Sequence, residues 1–91
     1  MSITFDNVFS WNAEVLTGWA VHDGARVRCR AGRETIAKLP GFTNATTLQI
    51  GVGKANAFGF MREAFQRKIE RGEFDSDEMK GVTLLVGDLR R

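Results

Sequence analysis

The chain has 91 residues, of which 43% are hydrophobic and 26% are charged, and its formal net charge is +2. This size and balance predict one globular domain, residues 1–91, and no apolar stretch approaches the roughly 18 residues that a membrane span requires. The first residues lack the basic and long apolar segments of a secretory signal, and the single cysteine excludes an intramolecular disulfide. We therefore expect a cytoplasmic protein that has no membrane partner.

The charges are segregated along the chain although the net charge is small. Residues 1–23 carry a charge of −3, residues 24–72 carry +7 and residues 73–89 carry −4. Such an asymmetry favours a basic face that binds an acidic partner. The acidic ends can equally fold back onto the basic middle and neutralise it, and the sequence leaves both alternatives open.

Residue alternation predicts three strands in the first third of the chain. They cover residues 3–5, 14–21 and 25–31, and the second is rich in Val, Thr and Trp, which favour strands. Asp23-Gly24, between the second and third strands, is a turn signal. These two strands are therefore predicted to form a hairpin.

The rest of the chain predicts two helices and a last strand. Residues 32–39 are predicted as a short helix, which Pro40-Gly41 ends. A long helix is predicted over residues 55–71, where apolar residues follow helical spacing. Residues 47–54 fit helix, strand or loop, because each glycine there disfavours a helix by about 1 kcal/mol. Residues 82–86 predict the last strand.

This order of elements, β-β-β-α-α-β, predicts an α+β fold. The helices follow one another between two strands, so they can cover only one face of the sheet. The predicted architecture is a two-layer sandwich in which an antiparallel sheet of about four strands carries two helices on one face.

The predicted hairpin allows two registers. A two-residue loop pairs Trp19 with Arg28 and places the tryptophan among arginines. A three-residue loop pairs Trp19 with Val27 and places the tryptophan on an apolar face. We predict the three-residue loop, because one residue of slip moves every side chain to the other face and burial should select the register with the cleaner apolar face.

Three features resemble chemical sites but lack residues that the chemistry requires. Residues 51–55, GVGKA, lack the first glycine and the Ser or Thr of a phosphate loop. Residues 75–81, DSDEMKG, lack the spacing of a calcium loop. Cys29 is expected to be a buried apolar residue rather than a nucleophile, and His22, the one histidine, cannot form a metal site alone. We therefore predict that the protein is not an enzyme and has no cofactor and no metal.

Several short segments follow one another in a recognisable order. They are Ile3 and Phe5, Asp23-Gly24, Val27 and Cys29, the short helix ending at Leu39, Arg62-Glu63-Ala64, and the apolar strand before Gly87-Asp88-Leu89. In this order and spacing the chain resembles a family of small proteobacterial proteins, domain of unknown function 1488. The resemblance spans nearly the whole chain. It implies a fold of strands followed by helices, and it implies no activity.

Four arginines form the candidate binding face. Arg26, Arg28 and Arg30 occupy alternating positions of the third strand, so we expect their side chains on one sheet face at intervals of roughly 6.5 Å, and Arg33 follows at the short helix. Arginine suits bidentate contacts with phosphate. The same pattern is also typical of a solvated sheet face and of a contact with another protein chain.

These observations predict a binding protein without catalytic chemistry. The first hypothesis is a non-catalytic interaction or regulatory module whose partner is another protein or a second copy in a homo-oligomer. The alternative is nucleic-acid backbone binding through the strand face of Arg26, Arg28 and Arg30.

Overall fold

The protein has a mixed α+β fold, so the predicted fold class is confirmed. The computed structural model describes residues 3–75 and 81–90. In chain order the elements are β1 (Ile3–Phe5), β2 (Ser10–Trp11), β3 (Val15–His22), β4 (Ala25–Gly32), α1 (Arg33–Ile36), α2 (Thr47–Val52), α3 (Lys54–Glu70), β5 (Gly81–Leu84) and a 3₁₀ helix (Val86–Arg90). The strands form one sheet, and the three α-helices pack against it.

The sheet is mostly antiparallel. Its order is β1-β3-β4-β5, and β2 also pairs with β3, so β1 and β2 follow one another along the same edge of β3. The pairing of β4 with β5 is parallel, because the helices between these strands form a crossover that returns the chain to the same end of the sheet. The structure therefore differs from the predicted sheet in this parallel pair and in the additional short strand β2.

The hairpin between β3 and β4 has the two-residue loop, so the predicted three-residue register is wrong. His22 pairs with Ala25 and Trp19 pairs with Arg28. Asp23 and Gly24 form the loop with φ angles of 53° and 78°. Two left-handed residues in a two-residue loop are typical of a type I′ turn, whose twist matches that of the strands.

The core explains why this register is favoured. On β3, the inner face that meets the helices carries Leu16, Gly18 and Ala20, all of which are buried. The ring of Phe58 on α3 lies against Gly18, in space that a Cβ atom would occupy. With the other register, Trp19 and its neighbours would face the helices and overlap this ring, because one residue of slip reverses the faces.

Buried apolar residues from all three helices and from the sheet form one cluster. The members are Leu16, Ala20, Val27, Cys29, Ala31, Ile36, Leu39, Ile50, Ala57, Phe58, Met61, Ala64, Phe65, Ile69, Val82 and Leu84. Phe58 lies at the centre of an aromatic group, because its ring centroid is 5.1 Å from that of Phe65 and 4.9 Å from that of Phe9. The helix layer is therefore anchored to the sheet chiefly through α3.

Residues 47–54, for which the sequence left three alternatives, are mainly helical. Thr46 forms a capping box at the start of α2: its hydroxyl accepts from the Gln49 backbone N–H, and the Gln49 side chain accepts from the Thr46 backbone N–H. Gly53 then separates α2 from α3. The local cap offsets the helix-disfavouring glycines, because it satisfies N–H groups that a helix start otherwise leaves unpaired.

Replacing Thr46 by alanine is expected to lower the free energy of unfolding by about 1 kcal/mol, because the capping hydroxyl is lost. Urea unfolding followed by circular dichroism measures the difference. Thr43→Ala is the matched control, since Thr43 is exposed and lies outside the capping box. Equal effects of the two substitutions would contradict the role of the cap.

Candidate functional site

The sheet face opposite the helices carries the predicted arginines. Successive side chains of a strand point to opposite faces, so the residues that alternate with the buried ones share this second face. We call it the open face and define it by Thr17, Trp19 and Val21 of β3, Arg26, Arg28 and Arg30 of β4, and Thr83 of β5. None of these residues is buried. The structure therefore brings three of the four predicted arginines together and adds a tryptophan to them.

Trp19 lies at the centre of the open face. Its cross-strand partner on β4 is Arg28, and on its other side the backbone N–H of Asp6 donates to the Trp19 carbonyl at 2.9 Å. The guanidinium carbon of Arg26 is 4.5 Å from the centroid of the Trp19 ring. Such a cation–π contact contributes about 0.5–1 kcal/mol at an exposed site.

The Arg26 side chain reaches across the Trp19 ring to Asp6, which lies on the other side of β3. Its Nη2 donates to Asp6 Oδ2 at 3.2 Å, and 61% of the Arg26 side chain is exposed. Arg26 thus extends from β4 across Trp19 to the residue that follows β1. We call this contact the Arg26 strap.

Arg30 pairs with an acid from the other end of the chain. Its Nη2 donates to Asp75 Oδ2 at 2.7 Å, and the Thr83 hydroxyl donates to the same oxygen at 2.7 Å. Burial alone would raise the pKa of the Asp75 carboxyl, but these two hydrogen bonds, with the charges of Arg30 and Lys68, hold the pKa below its usual value. The acidic ends of the chain therefore do fold back onto the basic middle, through Asp6 and Asp75.

Replacing Asp75 by asparagine is expected to destabilise the protein by about 1 kcal/mol at neutral pH, because hydrogen bonds to a charged group are lost. A carboxyl whose pKa is lowered by folding stabilises the protein above its unfolded pKa. This contribution is lost as pH falls through the lower folded value. The difference between Asp75→Asn and the natural protein should therefore shrink as the pH falls from neutral into the acid range. Unfolding free energies measured over this range check the prediction.

The control for this prediction is Asp23→Asn. Asp23 lies in the exposed hairpin loop in the left-handed conformation, which asparagine also adopts readily. We expect a smaller effect on the free energy of unfolding at neutral pH there. A pH-independent effect of Asp75→Asn would contradict the assignment of the lowered pKa.

Arg33, the fourth predicted arginine, has different neighbours. Its Nη1 donates to the Ala13 carbonyl at 3.2 Å and to the Thr47 hydroxyl at 2.6 Å. These contacts connect the start of α1 with the start of α2 at one end of the sheet. Arg33 therefore lies apart from the other three and serves here to position the helices.

Cys29 lies on the inner face and is fully buried. Burial raises the pKa of its thiol to about 12, so the thiol stays protonated and unreactive at neutral pH. His22 lies at the hairpin end of β3, four residues from Gly18, the strand partner of Cys29. The thiol and the imidazole are therefore not brought together.

The helix layer carries a second exposed feature, which no pattern in the sequence predicted. A groove of about 600 Å³ is lined by Phe42, Ala45, Leu48 and Val52, with Gly41, Asn44, Gln49 and Gly53. We call it the α2 groove. Leu48 and Val52 are 77% and 83% exposed, although a helix continuous with α3 would place them on its inner side. Gly53 interrupts that helix, so Ile50 is the residue of α2 that enters the core.

In the part of the chain that the structure describes, the remaining sequence features bring no further ligand groups together. Residues 51–55, GVGKA, form the end of α2 and the start of α3. Most of the acidic stretch 75–81 lies outside the described residues. Within residues 3–75 and 81–90, no cluster of three or more His, Cys, Asp or Glu could hold a metal ion, and none of the helices is long and apolar enough to cross a membrane.

Comparisons of the chain with the profiles of protein families, with curated proteins and with solved structures find no match. The fold and the site define a small α+β protein with an open sheet face of arginine and tryptophan.

Proposed function

We propose that the protein is a non-catalytic binding module and that its open face binds the phosphate backbone of nucleic acid. The observation that carries the proposal is the position of Trp19 among Arg26, Arg28 and Arg30 on a sheet face that the helices leave uncovered. Guanidinium groups form bidentate contacts with phosphate, and aromatic rings stack on bases. The open face presents both groups on one rigid element.

The spacing of the arginines supports this proposal. Alternate residues of a strand lie roughly 6.5 Å apart, which is comparable to the distance between successive phosphates of an extended strand. Arg26, Arg28 and Arg30 therefore match a linear row of phosphates better than they match one compact anion. A row of like charges along one strand also draws polyanions by long-range attraction.

Acidic partners among the described residues make the proposed binding moderate rather than tight. Asp6 and Asp75 already neutralise Arg26 and Arg30 in part. Arg26 and Asp6 form an exposed ion pair, which contributes only about 0–1 kcal/mol, so a phosphate can replace Asp6 at small cost. The pair of Arg30 with Asp75 is partly buried and is broken less readily. This exchange predicts micromolar affinity that weakens steeply with salt.

The proposal assigns no reaction, no cofactor and no metal to the protein. We place the module in the cytoplasm, because a small domain with one free thiol suits a reducing compartment. Its relation to the family of domain of unknown function 1488 stays a prediction.

Direct binding measurements test the proposal. Labelled single-stranded and duplex DNA and RNA of about 20 nucleotides would be titrated with the protein at about 50 mM and about 200 mM salt, and fluorescence anisotropy would be recorded. We expect micromolar dissociation constants at low salt that rise at least tenfold at the higher salt. The absence of binding at low salt to any of the four nucleic acids would overturn the proposal.

The second candidate function is self-association through the α2 groove. Leu48 and Val52 are one helical turn apart and strongly exposed, and every residue that lines the groove is uncharged. Two copies related by a two-fold axis would cover both apolar residues without bringing like charges together. A concentration-dependent increase in molar mass, abolished by Leu48→Glu, would support a homo-oligomer. A monomer at millimolar concentration would exclude it.

A further inference from the structure

Among the described residues, the Arg26 guanidinium lies over the Trp19 ring and is held there by an exposed ion pair. The neighbours of Trp19 on the same face of β3 are Thr17 and Val21, both of which are short. The contact above the ring is the Arg26 guanidinium, at 4.5 Å from the ring centroid. Displacing Arg26 would therefore present a flat aromatic surface bordered by Arg28.

The Arg26 strap is held weakly. More than half of the Arg26 side chain is exposed, and its nitrogen is 3.2 Å from the Asp6 oxygen. Solvent and salt screen such a pair. Stacking of a base on an aromatic side chain is a stronger interaction than an exposed ion pair.

We infer that the open face binds single-stranded nucleic acid, with one base stacked on Trp19 in the place of the Arg26 guanidinium. The inference rests on the proposed function and specifies its ligand. In the exchange, a base replaces the guanidinium on the ring, and a phosphate replaces Asp6 as the partner of the guanidinium. Both Trp19 and Arg26 thus keep a partner in the complex. A duplex cannot make this exchange, because its bases stack on one another inside the helix.

The side chain of Asp6 limits access to the ring in this arrangement. Asp6→Asn would remove the charge that holds the strap and would leave the backbone contact of Asp6 with Trp19 in place. We expect this variant to bind single strands about three- to tenfold more tightly, because Arg26 leaves the Trp19 ring more readily and one carboxylate that competes with phosphate is removed.

The decisive substitution is Trp19→Leu, with Trp19→Phe as an intermediate. Leucine keeps an apolar side chain but has no aromatic face, so single-strand affinity should fall about five- to fiftyfold. Trp19→Phe should lose less single-strand affinity, because phenylalanine still offers an aromatic ring, although a smaller one. Duplex affinity, which depends on the arginines alone, should change less than twofold in both variants.

Fluorescence provides a readout that needs no change at Trp19. Trp11, the other tryptophan, faces the helix layer, and its indole N–H donates to the Thr47 carbonyl at 2.9 Å. In a Trp11→Phe background, Trp19 is the sole tryptophan, and its emission should be quenched by a single strand and unaffected by a duplex. This measurement keeps the inference testable even if substitutions at Trp19 impair folding.

The outcomes separate the inference from the proposed function. A selective loss of single-strand binding in Trp19→Leu, with quenching of Trp19 by single strands alone, supports both. Equal losses for single strand and duplex, or quenching by neither, would overturn the stacking inference and leave backbone binding intact. If the natural protein binds neither form at low salt, the proposed function fails and the inference fails with it.

Discussion

Replacing Gly18 by alanine is expected to lower the free energy of unfolding by about 1–3 kcal/mol, a typical cost of adding a methyl group to a filled core. Gly18 lies on the inner face of β3, and a Cβ atom there would overlap the ring of Phe58. This ring cannot easily withdraw, because it is packed between Phe9 and Phe65 at centroid distances of 4.9 and 5.1 Å. Urea unfolding followed by circular dichroism would measure the loss.

Gly59→Ala is the matched control for this prediction. Gly59 is exposed on α3, and a Cβ atom there would meet open space. Alanine is favoured over glycine in a helix by about 1 kcal/mol, so this substitution should stabilise the protein. The same methyl group should thus have opposite effects at the two positions. A stabilising effect of Gly18→Ala would contradict the close packing of β3 against α3.

A double-mutant cycle would identify the clash itself. The single substitution Phe58→Leu should destabilise the protein, because it removes part of the aromatic group. Phe58→Leu also removes the ring that a Cβ atom at position 18 would meet. The double variant Gly18→Ala with Phe58→Leu should therefore lose less free energy of unfolding than the two single variants lose in sum. Strict additivity would indicate that the two residues do not interact.

Replacing Arg26, Arg28 and Arg30 together by alanine is expected to weaken nucleic-acid binding at low salt at least a hundredfold. Each phosphate contact of a single strand contributes about 0.7 to the slope of log affinity against log salt. The loss of three contacts should therefore reduce the magnitude of this slope by about two. Anisotropy titrations at several salt concentrations measure both quantities.

The control for the arginine variant removes the same charge elsewhere. Lys38, Arg62 and Arg71 are exposed and lie outside the open face, so their joint replacement by alanine should change affinity only a few-fold. Equal losses in the two variants would show that net charge alone drives binding. The double substitution Arg26→Ala with Arg28→Ala, which leaves the Arg30–Asp75 pair intact, tests the same face if the triple variant is unstable.

Local patterns in the sequence predict β1, β3, β4 and α3 of this fold, but they miss β2, and the predicted short helix and last strand extend beyond Ile36 and Leu84, where the observed elements end. Strand alternation, the Asp23-Gly24 turn and the helical spacing of α3 are each properties of a few neighbouring residues. The hairpin register was predicted wrongly, because Trp19, the bulkiest apolar residue of β3, does not face the core. The core instead requires a small residue, Gly18, on β3, since the large partner Phe58 comes from α3. An isolated glycine in a strand does mark a close approach, but its partner Phe58 lies in a distant segment that local patterns cannot identify.

For the candidate site, too, the sequence predicted the arrangement of neighbouring residues and did not predict contacts between distant ones. Alternation along β4 predicted that Arg26, Arg28 and Arg30 share a face, and they do. Their acidic partners could not be assigned, because Asp6 and Asp75 are brought to the arginines only by the pairing of distant strands and by the turn after α3. Charge segregation was the one sequence signal for these contacts, and it also fitted a basic binding face.

Mapping the binding surface by nuclear magnetic resonance tests the central claim most directly. Unlabelled single-stranded oligonucleotide would be titrated into ¹⁵N-labelled protein at low salt, and the chemical-shift changes of backbone amides and of the Trp19 indole would be recorded. We predict that the changes concentrate in β3 and β4, with the Trp19 indole among the largest. Changes confined to the α2 groove, or no changes at all, would contradict the assignment of the open face as a nucleic-acid binding surface.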